Sequence, residues 1–67
     1  MEWDDIKELG RKKARREAMK RMLADSINRR KAAQEAGDER MVMHERIQEA
    51  QLTTFITRIN DEIFDYV

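Results

Sequence analysis

Apolar residues recur at Leu52, Ile56, Ile59, Ile63 and Tyr66, at intervals of four, three, four and three, and Phe55 widens the row. This alternation keeps one face of a helix apolar for two heptads and predicts a seam for a partner helix. Counted back toward the N-terminus, the same register meets Val42, then Glu45 and Glu49, so the row fades before mid-chain. Two heptads make a poor free-standing coiled coil, because a helix is costly to nucleate. The face has to pack on something.

The first half of the chain is less orderly. Its apolar residues gather as Trp3, Ile6 and Leu9, and again as Met19, Met22, Leu23 and Ile27. Extending the first cluster's register passes through Lys13, Arg16 and Lys20 before reaching Leu23 and Ile27, which leaves residues 11–18 without a core face. An alanine row (Ala14, Ala18, Ala32, Ala36) offers only shallow packing. The methionines at 19, 22, 41 and 43 read as core, with an adaptable partner surface as the alternative. Trp3 reads as a local packing anchor beside Ile6 and Leu9.

Breaks are few. Gly37 suits the position just past a helix end, and Asp38 can cap the free N–H groups of the next helix. The pattern predicts one helix over 3–36 and a second over 38–66, joined by a short turn. Gly10 and Asp25–Ser26 are two places where the first helix can break, the latter restarting it at Ile27. Nothing alternates like a strand. The expected fold is all-α, a helical hairpin forming one small domain over 1–67, which completes its core by self-association. Leu52, Phe55, Ile56, Ile59, Ile63 and Tyr66 are the expected contact residues, giving a homodimer.

Composition supports this reading. Of 67 residues, 42% are charged and 6% aromatic, with no proline, as in long helices and coiled coils. A chain of this size buries only about 60% of its unfolded surface. The absence of cysteine removes disulfides and Cys-based zinc sites as staples, which strengthens the case for a partner. No apolar run is long enough to span a membrane, and the acidic start "MEWDDIKELG" is unlike a secretory leader. A cytoplasmic protein with no membrane role is expected.

Charge changes the picture more. The net charge is zero, yet residues 1–10 carry −3, residues 11–31 carry +8 and residues 32–67 carry −5. The stretch "GRKKARREAMKR" alone holds seven of the fourteen basic residues. On a helix, Arg11, Lys12, Lys13, Arg15, Arg16, Lys20 and Arg21 surround the whole circumference, and Arg29, Arg30 and Lys31 extend the zone. A helix lying in a nucleic-acid groove meets phosphates on both flanks, so charge on several sides is useful there. Ala14 and Ala18 would allow close approach. The expected function is a small regulatory protein presenting this segment to RNA or DNA. An adaptor or inhibitor docking on an acidic protein surface comes second, and a structural element of a larger helical assembly third.

Catalytic patterns are missing. There is one histidine and one serine, and "HERIQ" places Gln48 where the zinc-protease helix motif needs its second histidine. Asp61, Glu62 and Asp65 lack the glycine and alternating oxygens of a calcium loop. No enzyme activity, metal, cofactor or small-molecule substrate is expected.

Overall fold

The computed structural model describes residues 2–66. Two α-helices, α1 (Trp3–Ala36) and α2 (Glu39–Phe64), run antiparallel as a rod of 52 × 14 × 12 Å. Both helix boundaries at the turn follow from local chemistry. Gly37 sits at φ 73°, ψ 20°, a left-handed conformation that glycine takes without a Cβ penalty. Its N–H donates to Gln34 O at 3.2 Å, and the Asp38 N–H donates to Ala33 O at 2.9 Å. These two bonds satisfy carbonyls at the end of α1. Asp38 then accepts from the Met41 N–H through Oδ1 at 3.1 Å, capping α2. The connection is therefore only two residues long.

α1 runs unbroken through both suspected interruptions. Gly10 costs about 1 kcal/mol relative to alanine, a penalty that packing along the rest of the helix absorbs. Ser26, instead of capping a new helix at Ile27, points across the hairpin and is fully buried.

The seam corrects the reading of residues 11–18. On α1 the positions facing α2 are Leu9, Lys12, Arg16, Met19, Leu23, Ser26, Arg30 and Ala33, all half-buried or buried and spaced alternately three and four apart. On α2 they are Val42, Glu45, Glu49, Leu52, Ile56, Ile59, Ile63 and Tyr66, with the same spacing. Residues 11–18 do have a core face, built from the stems of Lys12 and Arg16. Long basic side chains bury their methylenes along apolar surface while the charged head stays near water. The buried apolar residues are Ala33, Leu52, Ile59 and Ile63. The methionines divide: Met19 is half-buried, while Met22, Met41 and Met43 are exposed, so most of them are not core. Among the described residues, no helix is long and apolar enough to cross a membrane.

Candidate polyanion-binding face

The seam polar groups sort the basic segment into cations that α2 engages and cations that it leaves open. Near the turn, Ser26 Oγ donates to Glu45 Oε2 at 2.5 Å, and Arg29 Nε donates to Glu45 Oε1 at 3.0 Å. One layer on, Arg30 Nε donates to Glu49 Oε2 at 2.6 Å and its Nη1 reaches Gln34 Oε1 at 3.3 Å. Toward the open end, Lys12 Nζ meets Glu62 Oε2 at 2.7 Å, and Arg16 Nη1 donates to Asn60 Oδ1 at 3.1 Å. Arg16 Nε is shielded from solvent without a hydrogen bond, and its nearest carboxylate oxygen, Glu17 Oε1, is 3.5 Å away.

Protonation equilibria follow these contacts. The hydrogen bonds from Ser26 and then Arg29 hold the Glu45 carboxyl below its ordinary range, against the opposing effect of its own burial. Lys12 is pushed up by its hydrogen bond to Glu62, and Glu62 is pulled down by the same bond. The Tyr66 phenol is raised by burial first and by Glu8 second.

Lys12, Arg16, Arg29 and Arg30 are therefore engaged by α2, Arg29 with its side chain still exposed. Lys20 lies 3.6 Å from Glu17. Arg11, Lys13, Arg15, Arg21 and Lys31 are exposed and, among the described residues, make no ion pair. Helical spacing arranges the exposed set: Ala14, Ala18 and Arg21 lie along the ridge facing away from α2. Arg11 and Arg15 lie on one side of that ridge, and Lys13 and Lys20 on the other. Ala14 and Ala18 at the crest, with cations down both flanks, let the backbone approach a ligand there while charge meets it from two sides.

The acids of α2 do not cancel this face. Glu45, Glu49 and Glu62 are each held by a basic partner in the seam. Asp61 and Asp65 are exposed at the other helix. A helix with side chains is about 10 Å across, comparable to the screening length of about 8–10 Å at physiological salt.

The six seam residues expected to mediate self-association take other places. Leu52, Ile59 and Ile63 are buried and Ile56 and Tyr66 half-buried against α1, while Phe55 is exposed with the Arg58 guanidinium 5.9 Å from its ring centroid. Trp3 is exposed, with Lys7 Nζ 5.3 Å from its ring centroid. His44 is exposed, and no group of His, Cys, Asp or Glu among the described residues is placed to hold a metal. The Ser26–Glu45–Arg29 cluster is the feature the sequence pattern missed. The signal was present in the reach of the pairs: basic residues at 12 and 29 and acids at 62 and 45 lie at matching distances from Gly37. Comparison with protein families, with curated proteins and with solved structures gives no match to this chain.

Proposed function

We propose that this hairpin is a non-enzymatic nucleic-acid-binding protein of the cytoplasm that offers the outer face of α1, from Arg11 to Arg21, to a groove of RNA or DNA. The observation that carries the reading is the division of labour among its cations. Four basic residues are spent on the seam, and Arg11, Lys13, Arg15 and Arg21 remain exposed without an ion pair among the described residues. They span eleven residues, about 15 Å of helix. Unpaired cations so closely spaced repel one another in the free protein, and a row of phosphates relieves that repulsion while releasing condensed counterions.

Affinity for RNA and DNA, measured from about 50 to 200 mM salt, tests the proposal. It should fall linearly on a log–log plot by about 0.7–0.9 per phosphate contacted. Replacing Arg11 and Arg15 with glutamine should flatten the slope by about one to two units, whereas Arg40→Gln on α2 should leave it unchanged. No binding to either nucleic acid at the lowest salt removes the proposal. A second reading, docking on an acidic protein, is favoured by Met22, which is half exposed on the Arg15 side of α1. That reading calls for a shallow salt response and a large loss on Met22→Ala, because desolvated apolar anchors carry most of the energy of protein interfaces.

A further inference from the structure

The rod exposes more surface than a molecule of its mass should. Its accessible area is 5368 Å², against about 4,500 Å² expected for a compact folded monomer of 8.1 kDa. Its radius of gyration is 15.5 Å, against about 11 Å for a compact domain of this length. On the side of α2 turned away from α1, Met43, Ile47, Ala50, Thr54, Thr57, Asp61 and Phe64 recur at intervals of four and three and are all exposed. This is a second heptad row on one helix, with Asp61 its single charge. Met43 is 67%, Ile47 56% and Phe64 77% exposed. The outward ridge of α1 is instead broken by charges.

Two details make the row fit for burial. The Thr54 hydroxyl donates to Ala50 O at 3.0 Å and the Thr57 hydroxyl to Thr53 O at 2.9 Å, so both hydroxyl donors are already satisfied on their own helix. A contact over this row would trap no orphaned hydroxyl proton, which would otherwise be costly. The row is also low in the middle, at Ala50, Thr54 and Thr57, and bulky at its ends, at Met43, Ile47 and Phe64. A shallow hollow lined by Ala50, Gln51, Thr54, Phe55 and Arg58 marks the low part.

We propose that this outer row of α2 is a docking surface for a second copy of the chain, the two α2 helices lying antiparallel about a twofold axis near Thr54. Charge selects the occupant and its direction. The outer side of α2 carries Arg40 and Arg46 toward the turn and Asp61 and Asp65 toward the open end, all exposed. Glu39 and Arg58 each oppose that gradient by one charge without reversing it. Antiparallel pairing sets the basic end of one helix on the acidic end of the other, sets the helix dipoles head to tail, and brings Met43 and Ile47 toward Phe64. Parallel pairing stacks like on like. A twofold axis repeats every contact twice, so a modest patch is used efficiently. The pair buries α2 between its own α1 and the second α2, and leaves both α1 outer faces open.

Sedimentation equilibrium of the whole chain, with circular dichroism as a check on helix content, tests the proposal. The wild-type protein should sediment as a dimer at micromolar concentration. Thr54→Glu sets two carboxylates against each other at the axis and should give a monomer with unchanged helicity. Arg46→Asp and Asp61→Arg should each weaken the dimer at least about threefold, the sum of two small ion pairs per assembly, and the double variant should restore it. The two positions are fifteen residues apart on one helix, about 22 Å, so the rescue cannot arise within one chain. A wild-type monomer at high micromolar concentration overturns the proposal. So does a dimer indifferent to Thr54→Glu, or charge variants whose losses simply add.

Discussion

The half of the hairpin near the turn and the half near the open end solve one packing problem with different materials. At the open end α2 supplies Leu52, Ile56, Ile59 and Ile63, and α1 answers with Leu9, Met19, Leu23 and the stems of Lys12 and Arg16. Near the turn both helices contribute polar groups, and Ser26, at 0% exposure, and Glu45, at 4%, are among the most buried residues in the chain. Apolar contact is favourable in any alignment that hides it, so the isoleucine layers supply stability, and in the open half only the partly exposed pairs of Lys12 with Glu62 and Arg16 with Asn60 favour one alignment. A buried carboxylate is tolerated only where its donors are, and Glu45 finds Ser26 and Arg29 in a single register. The turn half therefore contributes alignment, and the open half contributes adhesion.

The largest test of that division is a pair of truncations. Ile59→Ala should cost about 2–5 kcal/mol. Val42→Ala in the turn half, where the side chain is only half-buried, should cost about 1 kcal/mol, at about 0.8 per fully buried methylene. Urea unfolding followed by circular dichroism measures both, and equal losses would erase the distinction between the halves.

Acid gives a smaller effect and probes the turn half. The Glu45 carboxyl is depressed below its ordinary 4.5, so the folded state holds the ionised form more strongly than the unfolded chain does. Its contribution is fully present above pH 4.5 and is lost as pH falls through the lowered value. Glu62 behaves the same way at the open end. The melting temperature should decline on acidification below that point. Glu45→Gln should melt lower at neutral pH and decline less in acid, and a Glu45→Gln curve parallel to that of the wild type would contradict this account.

The smallest effect sharpens the role of the open half. A Cβ at Gly10 would meet nothing within 4 Å, so Gly10→Ala should raise stability by about 0.5–1 kcal/mol by restraining the unfolded chain. Gly37→Ala should lower it, since φ there is 73°. At about 4–8 °C per kcal/mol for a domain this small, thermal melts resolve both, and a shift of the same sign for the two variants would refute the assignment.

Much of this architecture is legible in the residues themselves. Gly37 and Asp38 mark the turn because each has a local role that needs no knowledge of the rest of the chain. The open half of the α2 seam is visible because isoleucine and leucine announce a face by themselves. The α1 register is not, because a reader following apolar residues is led through Lys13 and Lys20, whereas the seam runs through Lys12, Arg16, Ser26 and Arg30. Those side chains belong to a core only in the company of Glu62, Asn60, Glu45 and Glu49, which lie 19 to 50 positions away. The candidate binding face inherits the same limit. Ten basic residues stand out in the sequence, but which of them are spent on the seam depends on pairings across the turn.

A two-residue turn also decides how the molecule bears a load. Trp3 and Tyr66 lie together at one end of a 52 Å rod, so tension between them pulls across the seam rather than along it. In that geometry the layers do not share the force, and each carries all of it in turn. The hairpin opens as a zipper, with the isoleucine layers parting first and the Ser26–Glu45 latch last. Until the latch parts, that layer and the turn stay joined and hold the alignment from which the two helices can close again.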